Sequence, residues 1–152
     1  MAGWTNRGKF LALQGIFRNT GLPTTFYVAL CTAATAPTVD VNTLGELTQI
    51  ALGNGYASGG LAVSRDAVGF DVLTEDDSGD KALAQIKDLV WTASGGNLPA
   101  SGAGARWAVL TDDNATVGSR QIVAYFDLEA DRTVSNGQTL TLQNCELDLN
   151  EV

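Results

Sequence analysis

Apolar and polar side chains alternate along residues 121–149, and this alternation is the clearest pattern in the chain. Ile122, Ala124, Phe126 and Leu128 lie on one side of an extended segment, and the residues between them lie on the other. A Ser-Asn-Gly sequence at 135–137 separates this segment from two further alternating runs. Period-two alternation interrupted by an Asn-Gly turn is typical of half-buried antiparallel strands. The sequence therefore predicts β-sheet over 121–149.

Two earlier segments, 24–32 and 105–111, carry apolar residues on both faces. Strands of this kind lie in the centre of a sheet or are covered on both sides. Shorter strands are predicted at 61–65 and 67–73, followed by an acidic loop at 74–80. Between 81 and 93 the apolar spacing fits a helix or a strand, and the β-prone residues at 90–92 favour a strand.

The N-terminal segment shows helical spacing instead, because Phe10, Leu13 and Phe17 share one helical face. Thr5 or Asn6 is expected to cap the start of this helix. Two glycines within it lower its intrinsic stability, so the helix needs the body of the domain or a neighbouring subunit. It either packs on its own sheet or acts as an arm on a partner.

A second helix is predicted over 42–52, with Asn42 or Thr43 as its N-cap; a Thr43 cap would place Glu46 in a capping box. The whole pattern predicts a mainly β protein, an antiparallel β-sandwich or jelly-roll-like domain with one or two short helices. Residues 1–23 form the N-terminal helical segment in this interpretation, and residues 24–152 form a single β-sandwich domain.

Length, charge and the absence of histidine narrow the range of possible functions. The 152 residues suffice for one domain with a substantial core. The net charge of −8 makes nucleic-acid binding unexpected, because an acidic surface repels phosphate. The chain lacks histidine, the commonest general base and metal ligand, so a Ser-His-Asp triad is excluded. No signal peptide or long apolar span is seen, and we expect a soluble protein, made in a cytoplasm, without a membrane partner.

The remaining candidate chemistry is weak. Cys31 and Cys145 fall within strand patterns, which favours two buried thiols, with a disulfide as the alternative. The acidic residues at 75–80 are expected to be solvated, with a cation site or a carboxylate hydrolase using Glu75 or Asp77 as alternatives. The sequence predicts no catalytic residue, no cofactor and no metal, and thus no enzyme.

The order of short motifs resembles a family of tailed-bacteriophage virion structural proteins, which are small β-domains. The matching stretches follow one another along most of the chain: RGK at 7–9 with Leu11, FYVAL at 26–30, PTVDVNTLGEL at 37–47, GNGY at 53–56, QIK at 85–87, WTASGG at 91–96, ARWAVLTDD at 105–113 and VSNGQTLTL at 134–142. Each motif is ordinary strand or turn chemistry, and their succession carries the resemblance.

The resemblance implies a capsid decoration (cement) protein on the exterior of the virion. Its expected partner is the major capsid protein, on which it would sit as a homo-oligomer, a trimer or a dimer. The residues expected to form the partner interface are Trp4, Arg7, Lys9, Phe10 and Phe17. The alternative is a head-fibre or tail component that binds a host glycan, with Trp4, Tyr56, Trp91 and Trp107 as candidate aromatic contacts. Trp91 and Trp107 lie in predicted strands, which favours core packing for these two.

Overall fold

The computed structural model describes residues 2–150. Within these residues it contains one α-helix, ten strands and two 3₁₀ turns, so the prediction of a mainly β protein is confirmed. The elements are β1 (Ala2–Trp4), α1 (Asn6–Arg18), β2 (Thr25–Cys31), β3 (Leu61–Ser64), β4 (Val72–Asp76), β5 (Lys81–Ile86), β6 (Leu89–Thr92), β7 (Ala105–Thr111), β8 (Ile122–Arg132), β9 (Thr139–Leu142) and β10 (Cys145–Asn150).

The strands form one large antiparallel sheet and two small ones. The large sheet has the order β1-β8-β7-β2-β3, and the small sheets have the orders β10-β5-β4 and β6-β9. The inner side chains of the large sheet share one core cluster with residues from both small sheets, including Trp91, Ile86 and Leu147. This arrangement is sandwich-like, with the small sheets together opposite the large one.

Strands β2 and β7 are apolar on both faces because both faces are covered. Val28 and Leu30 of β2 point into the main core, whereas Ala29 and Cys31 belong to a second cluster on the other side of the sheet. Val41, Leu44 and Leu47, from the segment after β2, complete that second cluster. The prediction that these two strands are central in a sheet is confirmed.

Strand β8 contributes to both clusters through an irregularity at its start. Leu110 pairs with Ala124 but Thr111 pairs with Ile122, which leaves Val123 as an extra residue. A bulge of this kind reverses the alternation of side chains locally. Ile122 consequently packs in the second cluster, whereas Ala124 and Phe126 lie in the main core.

The strands of the segment 121–149 are present, but they are distributed over three sheets. β8 pairs with β7 and β1, β9 pairs with β6, and β10 pairs with β5. The turn at 135–137 therefore connects two sheets rather than two paired strands, and Gly137 has a positive φ of 83° there.

The helix predicted over 42–52 is wrong. Only Leu44–Glu46 forms a turn of 3₁₀ helix. The backbone of this segment instead bonds to the chain just before β8 and to β2: Leu44 N donates to Arg120 O at 2.9 Å and Ile50 N donates to Leu30 O at 3.0 Å. The predicted contact between Thr43 and Glu46 is present, because Thr43 N donates to Glu46 Oε1 at 2.7 Å.

The prediction for 67–80 is also wrong, since the strand begins later than expected. The carboxylate of Asp66 accepts hydrogen bonds from the N–H groups of Val68 and Gly69, at 2.8 and 3.0 Å, and holds a turn. β4 then runs through part of the predicted acidic loop and forms a hairpin with β5. The strands predicted at 61–65, 81–93 and 105–111 are confirmed, the second as the pair β5 and β6.

Candidate protein–protein interface

The first turn of α1 is anchored on β8. Thr5 caps the helix with its hydroxyl, which accepts from Gly8 N at 2.8 Å and donates to Ile122 O at 2.5 Å. Thr5 N also donates to Val123 O at 3.1 Å. Thr5 is fully buried, so these bonds replace the water that its hydroxyl would otherwise need.

Small residues form the side of α1 that faces the body. A Cβ placed on Gly8 would lie 2.0 Å from Val123 O, so only glycine lets the helix approach β8 this closely. Gly8, Leu11 and Gly15 are the buried residues of the helix, and Gly15 packs against Leu22. The side that touches the body therefore contains two glycines and a single large side chain.

The large apolar residues of α1 point into solvent. We define the outer face of α1 as Phe10, Leu13, Ile16 and Phe17, whose side chains are 48%, 55%, 74% and 79% exposed. Residues at this spacing lie on one side of a helix, opposite Gly8 and Gly15. A surface helix of a protein that works alone normally buries its large apolar side chains. The reversed arrangement makes the outer face a candidate site for contact with another protein surface.

Basic residues flank the outer face. Arg7 donates from Nε to Gln121 Oε1 at 2.7 Å and its guanidinium lies 5.0 Å from the ring centre of Phe10. Lys9 and Arg18 are exposed on the same helix. Residues 1–39 contain these three basic residues and no acidic residue, whereas residues 40–152 contain all 17 acidic residues. The helix is a local positive region on a negative protein.

Of the five residues expected at the partner interface, Phe10 and Phe17 belong to the outer face, and Arg7 and Lys9 lie beside it. Trp4 has a different position. Its side chain is half-buried, and its indole Nε1 donates to Asp148 O of β10 at 3.0 Å, which joins the large sheet to a small one. The sequence pattern did not indicate Leu13 and Ile16 as interface residues, although Leu13 shares the helical spacing of Phe10 and Phe17.

A second exposed apolar surface lies on the sheet β10-β5-β4. Leu73, Ala84 and Leu147 are direct cross-strand neighbours on one face, as are Glu75, Ala82 and Leu149. Leu147 is buried in the core, but Leu73 is 80% and Leu149 59% exposed, and Ala82 is exposed as well. We define the sheet overhang as Leu73, Glu75, Ala82 and Leu149. This end of the small sheet extends beyond the core that it covers.

The sheet overhang has acidic surroundings. Besides Glu75, the exposed residues Asp71, Asp77 and Asp80 belong to β4 or its flanking turns. The carboxylate of Asp76 forms hydrogen bonds within the β4–β5 hairpin: it accepts one from the Ser78 hydroxyl at 2.8 Å and one from Gly79 N at 3.1 Å. These hydrogen bonds lower the pKa of Asp76. Within residues 2–150, no group of three or more His, Cys, Asp or Glu side chains is placed to hold a metal ion.

The aromatic residues considered for glycan binding lie mostly in the interior. Trp91 and Tyr56 are 1% and 3% exposed, and the Tyr56 hydroxyl donates to Gln49 Oε1 at 2.8 Å. Trp107 packs edge-on against Tyr125, with ring centres 6.1 Å apart, beside the second cluster. These three residues belong to the packing of the domain, whereas Trp4 is half-buried and lines an open cleft beside β10.

The titratable groups with the largest pKa shifts are buried and neutral at physiological pH. Burial raises the pKa of the Cys31 and Cys145 thiols to about 12, and both cysteines are free, as the interpretation as buried thiols predicts. Burial also raises the pKa of Tyr56. A nucleophile needs the opposite shift, so these groups are structural.

Comparisons with protein-family models, with curated proteins and with solved structures find no match for this chain. Among the described residues, no helix is both long enough and apolar enough to span a membrane. The resemblance to phage virion proteins thus stays a prediction from the sequence motifs.

Proposed function

We propose that this protein is a structural protein of a tailed-bacteriophage virion, a capsid decoration protein that binds the outer surface of the major capsid protein shell and stabilises it. It acts as a homo-oligomer and by binding alone, without catalysis. The succession of motifs described above supports the assignment to a virion.

One observation carries the proposal: α1 exposes its large apolar side chains and buries its glycines. Four exposed apolar side chains that adjoin one another on one face of a helix are characteristic of a site that binds protein. An assembled particle supplies such a cover permanently, because each subunit stays in contact with its neighbours.

Energetics support binding through repeated modest contacts. Specific protein contacts bury about 1,200–2,000 Å² in total, and one face of a short helix supplies only part of this area. Copies joined to each other bind a repetitive shell with an avidity that exceeds the affinity of each copy. The acidic body suits the exterior of a capsid better than a surface that faces packaged DNA.

The test uses purified protein and empty expanded capsids of the phage that encodes it. We expect binding in a fixed number of copies per shell, seen by cryo-electron microscopy, and a higher melting temperature of the shell. The double variant Ile16→Gln/Phe17→Gln should lower the occupancy, because it removes the two most exposed residues of the outer face. Leu52→Gln, which changes an exposed leucine in a distant loop, is the matched control.

Absence of the protein from purified particles, or no binding to shells at micromolar concentration, would contradict the proposal. Binding of the purified protein to a glycan array, with particles that bind host cells through it, would favour the head-fibre alternative instead.

A further inference from the structure

We propose that the outer face of α1 of one copy docks on the sheet overhang of a second copy, in a head-to-tail contact. The inference rests on the proposed function only in that it names the surfaces that join the copies of the proposed homo-oligomer. It follows from the apolarity and the charge of the two surfaces.

The sheet overhang is small enough for one side of a helix to cover it. The 13 residues of α1 span about 20 Å at 1.5 Å per residue. The overhang is shorter than this, because Ile86 and Leu147 at the other end of the small sheet are buried in the core. Helices commonly pack on sheet faces of this size, since each element has one apolar side to bury.

Both surfaces also have an apolar centre that is exposed in the single copy. The outer face presents Phe10, Leu13, Ile16 and Phe17, and the sheet overhang presents Leu73, Ala82 and Leu149. Within one copy, α1 turns its opposite side to the body, so residues 2–150 leave its outer face uncovered.

Charge decides which of the possible pairs of surfaces is favourable. Two outer faces in contact would bring Arg7, Lys9 and Arg18 of both copies together, and like charges repel across an interface. Two β4 edges paired antiparallel around Leu73 would place Glu75 opposite Asp71, which is destabilising. A basic helix on an acidic sheet is the one arrangement that brings opposite charges together.

A contact between two different surfaces has a consequence for assembly. After the first contact forms, the pair keeps one free outer face and one free sheet overhang, so further copies can add. The series closes into a ring if the rotation between copies permits, and a trimer, one of the two oligomers that the resemblance implies, would be a ring of this kind.

The test measures association by sedimentation velocity on the full chain without capsids. The wild-type protein should form oligomers as its concentration rises from about 1 to 100 µM, and high salt should weaken them because the charges are exposed. Ile16→Gln/Phe17→Gln removes the outer face, and Leu73→Gln/Leu149→Gln removes the sheet overhang. Each variant alone should be monomeric, whereas Leu52→Gln should associate like the wild type.

Mixing the two variants is the decisive step. Each variant keeps the surface that the other lacks, so the mixture should form a one-to-one dimer and no larger species. Circular dichroism melting of each variant checks that it is folded. A monomeric wild type at about 100 µM would overturn the inference, and so would normal association of the overhang variant.

The inference and the proposed function fail in different ways. A protein that stays monomeric in solution but binds shells through its outer face would overturn the inference alone. A protein that forms the head-to-tail oligomer but does not bind shells would overturn the proposed function alone.

Discussion

The core of the sandwich and the helix α1 use the same kind of apolar residues in opposite ways. In β6, Trp91 points inward and is 1% exposed, while its neighbour Val90 points outward at 49%. In α1, four large apolar residues point outward, whereas Leu11 and two glycines point inward. One region is covered by its own chain, and the other is left exposed by the described residues.

The difference shows that periodicity identifies a face but not its direction. The spacing of Phe10, Leu13 and Phe17 correctly places them on one side of a helix. Which side meets the body depends on how closely the two backbones approach, and Gly8 against Val123 O decides this for α1. The following predictions test whether the two regions differ in this way, from the largest expected effect to the smallest.

Replacing Trp91 should damage the sandwich most. Trp91→Ala removes a large side chain from the centre of the core and should lower the free energy of unfolding by about 3–5 kcal/mol. Val90→Ala on the same strand should change it by less than about 1 kcal/mol, because Val90 is half exposed. Urea unfolding followed by circular dichroism measures both. Equal losses would show that β6 is not oriented as described.

Glycine substitutions test the approach of α1 to β8. Gly8→Ala places a methyl group against the Val123 carbonyl, and we expect a loss of about 1–3 kcal/mol in the free energy of unfolding. Gly15→Ala is the matched control. Its new Cβ meets the end of the Leu22 side chain, which can rotate away, and alanine favours the helix by up to about 1 kcal/mol.

Thermal melting of the two glycine variants distinguishes these cases. If Gly8→Ala melts at the temperature of the wild type or above, α1 does not pack closely on β8, and its orientation would need another explanation.

The ion pair between β7 and β8 of the large sheet should stop stabilising the folded protein at acid pH. Arg106 Nε lies 2.9 Å from Asp127 Oδ1, and the hydrogen bond from Arg106 lowers the pKa of Asp127, as does one from Glu129 N. A lowered folded pKa stabilises the protein above the unfolded pKa of about 3.9, and this contribution disappears as pH falls through the folded pKa.

The variant Asp127→Asn should therefore be less stable than the wild type at pH 7, with a difference that shrinks below about pH 4. Asp131→Asn, at an exposed position on the same strand, is the control. Urea unfolding at a series of pH values measures the effect, and a difference that stays constant with pH would argue against the ion pair.

The outer face should have the smallest effect on the stability of a single copy. Phe17→Gln replaces a side chain that is 79% exposed, and the melting temperature at low protein concentration should shift by an amount equivalent to less than about 0.5 kcal/mol. A loss of stability as large as that for Trp91→Ala would mean that Phe17 packs against the body of its own copy.

Much of the fold could be predicted because local patterns agreed with the tertiary structure. β2 and β7 were predictable from apolar residues on both faces, and Thr5 from its position before a helical run. The helix predicted over 42–52 is absent because the backbone of this segment bonds to parts of the chain distant in sequence, as Leu44 does with Arg120, and local spacing does not reveal such bonds. The prediction for β4 failed because acidic residues are rare in strands. Glu75 is tolerated in β4 because it is exposed on an edge strand.

The candidate site was predictable in part. The helical face of Phe10 and Phe17 came from spacing, but its exposure depends on the glycines opposite, and Gly8 and Gly15 were interpreted only as helix-weakening residues. Their separation of seven places them on one side of the helix with Leu11, and this signal could have indicated the buried side. The sheet overhang could not be predicted, because it depends on the pairing of β10 with β5, which are distant in sequence.

The joint between α1 and β8 also determines how the protein bears mechanical load. β1 pairs antiparallel with β8 at Ala2–Trp4, and the helix follows immediately through Thr5. A pull on the helix along the direction of β1 stretches this short ladder in shear, so its hydrogen bonds share the force instead of opening one after another. A force applied through α1 would thus load the edge of the large sheet first.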